Sequence, residues 1–141
     1  MEVIHCFSKT GHYIAEFVAI WCFDARFKPT LTCYTNGLGE YDLISIAGGA
    51  KVLASPTLES DRDFILGQIQ TSINLHHTKE VVLMNHFDCG AYGGSKAFKT
   101  RDEEKAVLVA DLEKARKYLV DSGITIPIKL LLVDFDTITV L

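Results

Sequence analysis

Residues 80–94 read EVVLMNHFDCGAYGG. Val81, Val82, Leu83 and Met84 are apolar at successive positions and are bounded by polar residues. That pattern predicts a strand buried on both faces, as in a parallel sheet. His86 and Cys89 follow at once, in a loop that ends in Gly93 and Gly94. Loops just past the carboxyl ends of parallel strands are where α/β proteins place their chemistry, because the backbone fans out there and leaves a crevice. The stretch therefore delivers an imidazole and a thiol together to the place where a site would be built.

Upstream, YIAEFVAIWCF (13–23) is rich in aromatic and β-branched residues from Ile14 onward and reads as a strand ending near Cys22. Asp24, Arg26 and then Pro29 follow, with Pro29 marking a loop. A second strand is expected from about Tyr41 to Ile46, and Ala47-Gly48-Gly49-Ala50 after it reads as a tight turn where backbone can approach closely. Ser60-Asp61-Arg62-Asp63 has the pattern of a helix cap, with Ile65, Leu66, Ile69 and Ile73 at helical spacing behind it and an end near His76-His77.

Downstream, Thr100 and Glu103 form a capping box for a helix that carries Leu108, Leu112, Ala115 and Leu119 along one face and stops at Gly123. Pro127 then leads into a last buried strand, Ile128 to Val133. Residues 1–12 are ambiguous: Val3 to Phe7 fits a short strand and Lys9-Thr10-Gly11 a turn. Strands alternating with helices predict an α/β fold, a mostly parallel sheet of about four or five strands flanked by helices, forming one domain over residues 1–141.

Composition narrows the function classes. The net charge of −4 comes from scattered charges, and no Lys/Arg cluster is present to follow a phosphate backbone, so a nucleic-acid partner gets no support. No apolar run approaches the ~20 residues of a membrane span, and MEVIHCFSK has neither the basic segment nor the apolar run of a secretory signal. A cytoplasmic location is the expectation. In such a chain Cys6, Cys22, Cys33 and Cys89 read as thiols or metal ligands rather than a disulfide framework. Hydrophobic content of 48% points to a subunit interface.

Cys22 closes one strand and His86 and Cys89 follow another, so all three should lie at the same edge of the sheet. Two thiols and an imidazole are a ligand set for zinc that leaves one position open. Asp24 stands two residues from Cys22, and Arg26 can grip it through a forked pair of hydrogen bonds. Singly, each cysteine is better explained as a small buried hydrophobe, and Asp24–Arg26 has an ordinary salt bridge as its alternative; the joint pattern with His86, Asp24 and Arg26 favours metal. Cys6 and Cys33 lack ligand-like spacing, and His5 and His12 suggest no role. His76 and His77, at a helix end, are expected to face solvent or cap carbonyls.

Cys22-Phe-Asp24-Ala-Arg26, Ala47-Gly48-Gly49 and His86-Phe-Asp-Cys89-Gly90 together resemble the β-class carbonic anhydrases, whose zinc motifs are Cys-x-Asp-x-Arg and His-x-x-Cys. The likeness runs from roughly Phe17 to Gly94. It implies that Cys22, His86 and Cys89 hold Zn2+, that Asp24 and Arg26 are the neighbouring dyad, and that the chain works as a homodimer or higher homo-oligomer. The implied activity is reversible hydration of CO2 to bicarbonate by a zinc-bound hydroxide, with Asp24 as gate and proton acceptor, Arg26 as its orienting partner and the Gly90 N–H facing a bound anion. Asp24 as a fourth ligand would close the metal; Asp24 held by Arg26 would leave it open. Thiolates donate more charge than imidazoles, so activity is expected to rise above neutral pH.

Where many relatives carry Arg-Asn before Ala-Gly, this chain has Ser45-Ile46, and its lead before the first strand is short. Two alternatives follow: hydrolysis of another small linear substrate such as carbonyl sulfide or carbon disulfide, and a non-catalytic zinc-binding protein in which Asp24 closes the metal.

Overall fold

Strands form wherever β-branched and aromatic residues run together, and their alternation sends successive side chains to opposite faces of one sheet. A computed structural model describes all 141 residues. Strands β1 (Phe17–Cys22), β2 (Tyr41–Ile46), β3 (Val81–His86), β4 (Ile128–Val133) and β5 (Ile138–Val140) form a single sheet in the order β2-β1-β3-β4-β5. The first four are parallel and β5 pairs antiparallel with β4 at the edge. The expected mostly parallel sheet is present with five strands.

Val18, Ile20, Val81, Leu83, Leu130 and Leu132 point to one face. There they meet α2 (Lys51–Ala54), α3 (Glu59–His76) and α4 (Arg101–Asp121) through Leu53, Ile65, Ile69, Leu108, Leu112, Ala115 and Leu119. Phe17, Ala19, Trp21, Val82, Met84, Leu131 and Val133 point to the other face, with Phe27 and the partly buried Leu31 and Tyr34 of α1 (Lys28–Thr35). Trp21 is 2% exposed and its indole N–H donates to the Phe27 carbonyl at 3.3 Å. No helix is long and apolar enough to cross a membrane.

Several local expectations change. The first strand begins at Phe17 rather than Ile14, and Val3–Phe7 forms no strand. Pro29 opens α1 instead of marking a loop, since a missing N–H costs nothing in the first helical turn. Helix α3 starts at Glu59 with no side-chain cap, so Ser60 and Asp61 lie inside its first turn, where Glu59 and Asp61 favour the helix dipole. In α4 the Thr100 hydroxyl accepts from the Glu103 N–H at 3.1 Å, while Glu103 returns its bond to the Lys99 N–H at 2.9 Å rather than to Thr100. Gly123 ends the helix at φ +91°.

His76 is turned inward, not to solvent. Its Nδ1 lies 2.7 Å from Asp42 Oδ2, which also accepts from the Ser72 hydroxyl at 2.7 Å, and the Tyr13 hydroxyl donates to Asp42 Oδ1 at 2.5 Å. Burial pushes the Asp42 carboxyl up, but the bonds from Tyr13, Ser72 and His76 outweigh it and hold the carboxyl below its usual value. A group depressed on folding stabilises above its unfolded pKa, and that contribution is lost as pH falls through the folded one. Asp42→Asn should therefore destabilise by about 1–2 kcal/mol at neutral pH. Denaturant midpoints of wild type and variant should converge in acid; equal midpoints at neutral pH would show that these bonds contribute nothing.

Candidate metal centre

Parallel pairing brings the two chemistry-bearing segments to one edge. Val18 pairs with Val81 and Ile20 with Leu83, a register that, carried on, sets Cys22 level with Asn85, one residue from His86. His86 is the last residue of β3 rather than part of the loop after it. Cys89 sits three residues on, before the short 3-10 turn Gly90–Tyr92. All three residues are buried, and one ligand atom from each lies within 4.8 Å of the others. Cys6 and Cys33 are exposed and lie outside this group.

The histidine is poised as a donor of electrons. Its Nδ1 lies 2.7 Å from the Phe87 carbonyl, which can only accept, so Nδ1 carries the proton and Nε2 the free lone pair. Nε2 is buried and has no hydrogen-bond partner. An orphaned buried nitrogen beside two thiols is costly unless something binds it. The Phe27 ring, 4.0 Å from the imidazole, fixes its plane.

Proximity and burial perturb the two thiols in opposite directions. Pairing with Cys89 pulls the Cys22 thiol below its ordinary value against the opposing effect of burial, with the backbone N–H groups of Asp24 and Gly48 adding to the pull. The same pairing and burial push the Cys89 thiol up. Two buried thiols and a bare imidazole nitrogen form a donor set suited to a cation that replaces thiol protons.

Gly48 reaches Cys22 because the Ala47–Ala50 turn lies against β3. The Ala50 N–H donates to the Met84 carbonyl at 2.9 Å, and Gly49 sits at φ +55° with its Cα so close that a Cβ would come within 2.2 Å of that oxygen. Gly90 is exposed, with open space where a side chain would stand.

Asp24 and Arg26 are joined as the sequence suggested. Arg26 Nε lies 3.1 Å from both Asp24 oxygens and Nη2 2.7 Å from Oδ2, while the Arg26 backbone N–H donates to Oδ1 at 3.0 Å. The side-chain bonds from Arg26 hold the Asp24 carboxyl below its usual range against mild burial.

Three acidic residues escaped the sequence reading. Asp88, in the turn after β3, sits at φ +56° and accepts from Arg26 Nη1 at 2.8 Å. Glu104 of α4 is 2% exposed and accepts from the Asp88 N–H at 2.7 Å and the Ser95 hydroxyl at 2.8 Å. Asp111, also on α4 and 5% exposed, accepts from the Tyr92 hydroxyl at 2.8 Å and the Ser55 hydroxyl at 2.9 Å. The spacing of Glu104 and Asp111 puts both on one helix face, and together they hold the loop that carries Cys89.

Residues 14–135 match the family described as "Putative carbonic anhydrase". An uncharacterized protein of Rickettsia conorii is 29% identical over 108 residues, covering 72% of this chain and 58% of that protein. One from Rickettsia bellii is 25% identical over 111 residues, covering 74% and 68%. The matched part of the chain thus spans little more than half the length of the first of these relatives. Among solved structures, β-carbonic anhydrase isoform I of Trichomonas vaginalis has a similar fold at a TM-score of 0.68 and 18% identity, over 96% of this chain and 87% of that one. The carbonic anhydrase of Streptococcus mutans follows at 0.59 and 19%, over 95% and 87%. A tetrameric β-carbonic anhydrase of Sordaria macrospora gives 0.57 and 17%, over 92% and 81%. With residues 14–135 matched by one family, the chain belongs to the family described as putative carbonic anhydrase, and its fold is that of the β-carbonic anhydrases.

Proposed function

We propose that the chain catalyses the zinc-dependent, reversible hydration of CO2 to bicarbonate. The observation that carries this reading is the bare, buried Nε2 of His86 in a buried cluster with two thiols, one ligand atom of each within 4.8 Å of the others. Cys22, His86 and Cys89 would hold the ion: sulfur and imidazole donors suit zinc, and three protein ligands leave a fourth position for chemistry. Bound there, Zn2+ supplies a Lewis acid that turns water into a nucleophile near neutral pH.

The chain's own residues supply the rest. Asp24, kept ionised by Arg26, accepts a hydrogen bond from the attacking water and so turns its lone pair toward CO2. A carboxyl held so low is a weak resting place for a proton, so the proton passes on to solvent, which reaches the 20%-exposed Asp24 side chain. Both Asp24 oxygens are engaged by Arg26, and Asp24 is not part of the Cys22–His86–Cys89 group, which supports the open arrangement over the closed one. Gly90 leaves room for a small anion beside Cys89. A homodimer or higher oligomer is part of the proposal, in keeping with the tetrameric Sordaria enzymes.

Metal analysis of the purified protein combined with stopped-flow CO2 hydration tests this. About one zinc per chain is expected, with a rate that is higher in alkaline than in acidic buffer. Full zinc occupancy with no hydration above background would leave a non-catalytic zinc protein, and turnover of carbonyl sulfide alone would move the substrate.

A further inference from the structure

Resting on the proposed zinc site, we propose that Asp88 is a positioning residue for the Asp24–Arg26 pair, holding the guanidinium from its far edge so that Asp24 cannot swing onto the metal. Arginine offers five N–H groups in a rigid fork. Asp24 takes Nε and one hydrogen of Nη2; on the opposite edge Asp88 Oδ2 accepts from Nη1 at 2.8 Å and the Asp88 carbonyl from Nη2 at 3.0 Å. The two carboxylates therefore do not compete for the same hydrogens. They clamp Arg26 between the loop after β1 and the loop after β3.

The second grip is needed because the first is wet. The Arg26 side chain is 47% exposed and that of Asp24 20%. An isolated ion pair at such exposure biases an equilibrium only a few-fold, too little to keep a carboxylate off a neighbouring dication. Asp88 is itself tied down. Its N–H donates to the buried Glu104, and its Oδ1 accepts from the Ser95 N–H at 2.9 Å. The left-handed backbone at φ +56° is the kind of strained conformation that persists where its surroundings over-determine it. From α4 the chain of contacts runs through Glu104 and Asp88 to Arg26 and ends at Asp24.

Two variants separate this role from loop folding. Asp88→Asn tolerates the left-handed backbone and keeps an acceptor for Ser95 but loses the anionic oxygen that faces Arg26. Asp88→Gly fits the same φ without strain and lacks the carboxylate altogether. Each is loaded with Co2+ and titrated with azide, the visible cobalt spectrum reporting access to the free position. Both should retain one metal per chain and melt within a few degrees of wild type, yet bind azide about three- to fivefold more weakly, the reach of an ion pair 40% exposed on the Asp88 side. In an Arg26→Ala background, Asp88→Asn should change nothing further. Azide affinity within twofold of wild type in either variant would overturn the proposal. So would loss of metal from both, which would give Asp88 to the Cys89 loop instead, and so would a wild-type cobalt protein closed to azide. A wild type that takes up azide but hydrates no CO2 would overturn only the activity.

Discussion

Replacing Cys89 with serine is expected to bring zinc content from about one per chain to near zero and to lower CO2 hydration by at least two orders of magnitude. Changing residues that merely support a metal ligand typically costs 10–100-fold in metal affinity or activity, so loss of a ligand itself should cost more. A hydroxyl does not ionise near neutral pH, so the serine side chain supplies neither the soft donor nor the charge that a thiolate gives. The substitution also ends the thiol pairing that holds the Cys22 thiol down. The fold should survive: Cys89 contributes one small buried side chain to a core spread over ten residues. Cys33→Ser, at an exposed position outside the cluster, is the matched control and should bind zinc like wild type. A Cys89→Ser protein that keeps its zinc would show that the metal, if bound, sits elsewhere.

The other large effect is expected on stability, from Gly49→Ala. A Cβ there would lie 2.2 Å from the Met84 carbonyl oxygen, a backbone atom in the middle of the sheet that cannot step aside, and φ +55° disfavours any side chain. Strain and overpacking together should cost about 3 kcal/mol or more. For a chain of this size that is a fall of roughly 10 °C in Tm. The turn would have to lift off β3, taking the Gly48 N–H away from Cys22, so metal affinity should fall as well. Gly67→Ala is the counterpart: it lies inside α3 with open space where the methyl group would go, and should stabilise by up to about 1 kcal/mol. Thermal melts of the two variants side by side check both. A Gly49→Ala protein that melts like wild type would mean the Ala47–Ala50 turn does not bear on β3.

What the sequence made legible was local and periodic. The central strands announce themselves because a parallel strand buried on both faces must be apolar at every position, as Val81–Met84 are, and α4 because Thr100 and Gly123 mark its ends. The elements that escaped had weak or misleading signals. Proline at position 29 suits a loop and a helix start equally, and β5 is three residues long with an exposed edge. At the site, the meeting of Cys22, His86 and Cys89 could be read because each motif is compact and each follows a strand. The grip of Asp88 on Arg26 could not, because 62 residues separate them and only the folded register makes them neighbours. Glu104 and Asp111 were hidden for another reason: an acidic residue on a helix is ordinarily solvated, and nothing local says that two of them turn inward.

Trp21 gives the site a consequence for observation. It is the one tryptophan of the chain, sequestered from water, adjacent to Cys22 and bonded to the backbone of Phe27, whose ring lies on His86. Any rearrangement of the sulfur–imidazole cluster reaches this fluorophore across a single aromatic ring or a single peptide unit. The protein thus carries a built-in optical probe, whose emission would report any change in the cluster, added metal included, in real time without a label.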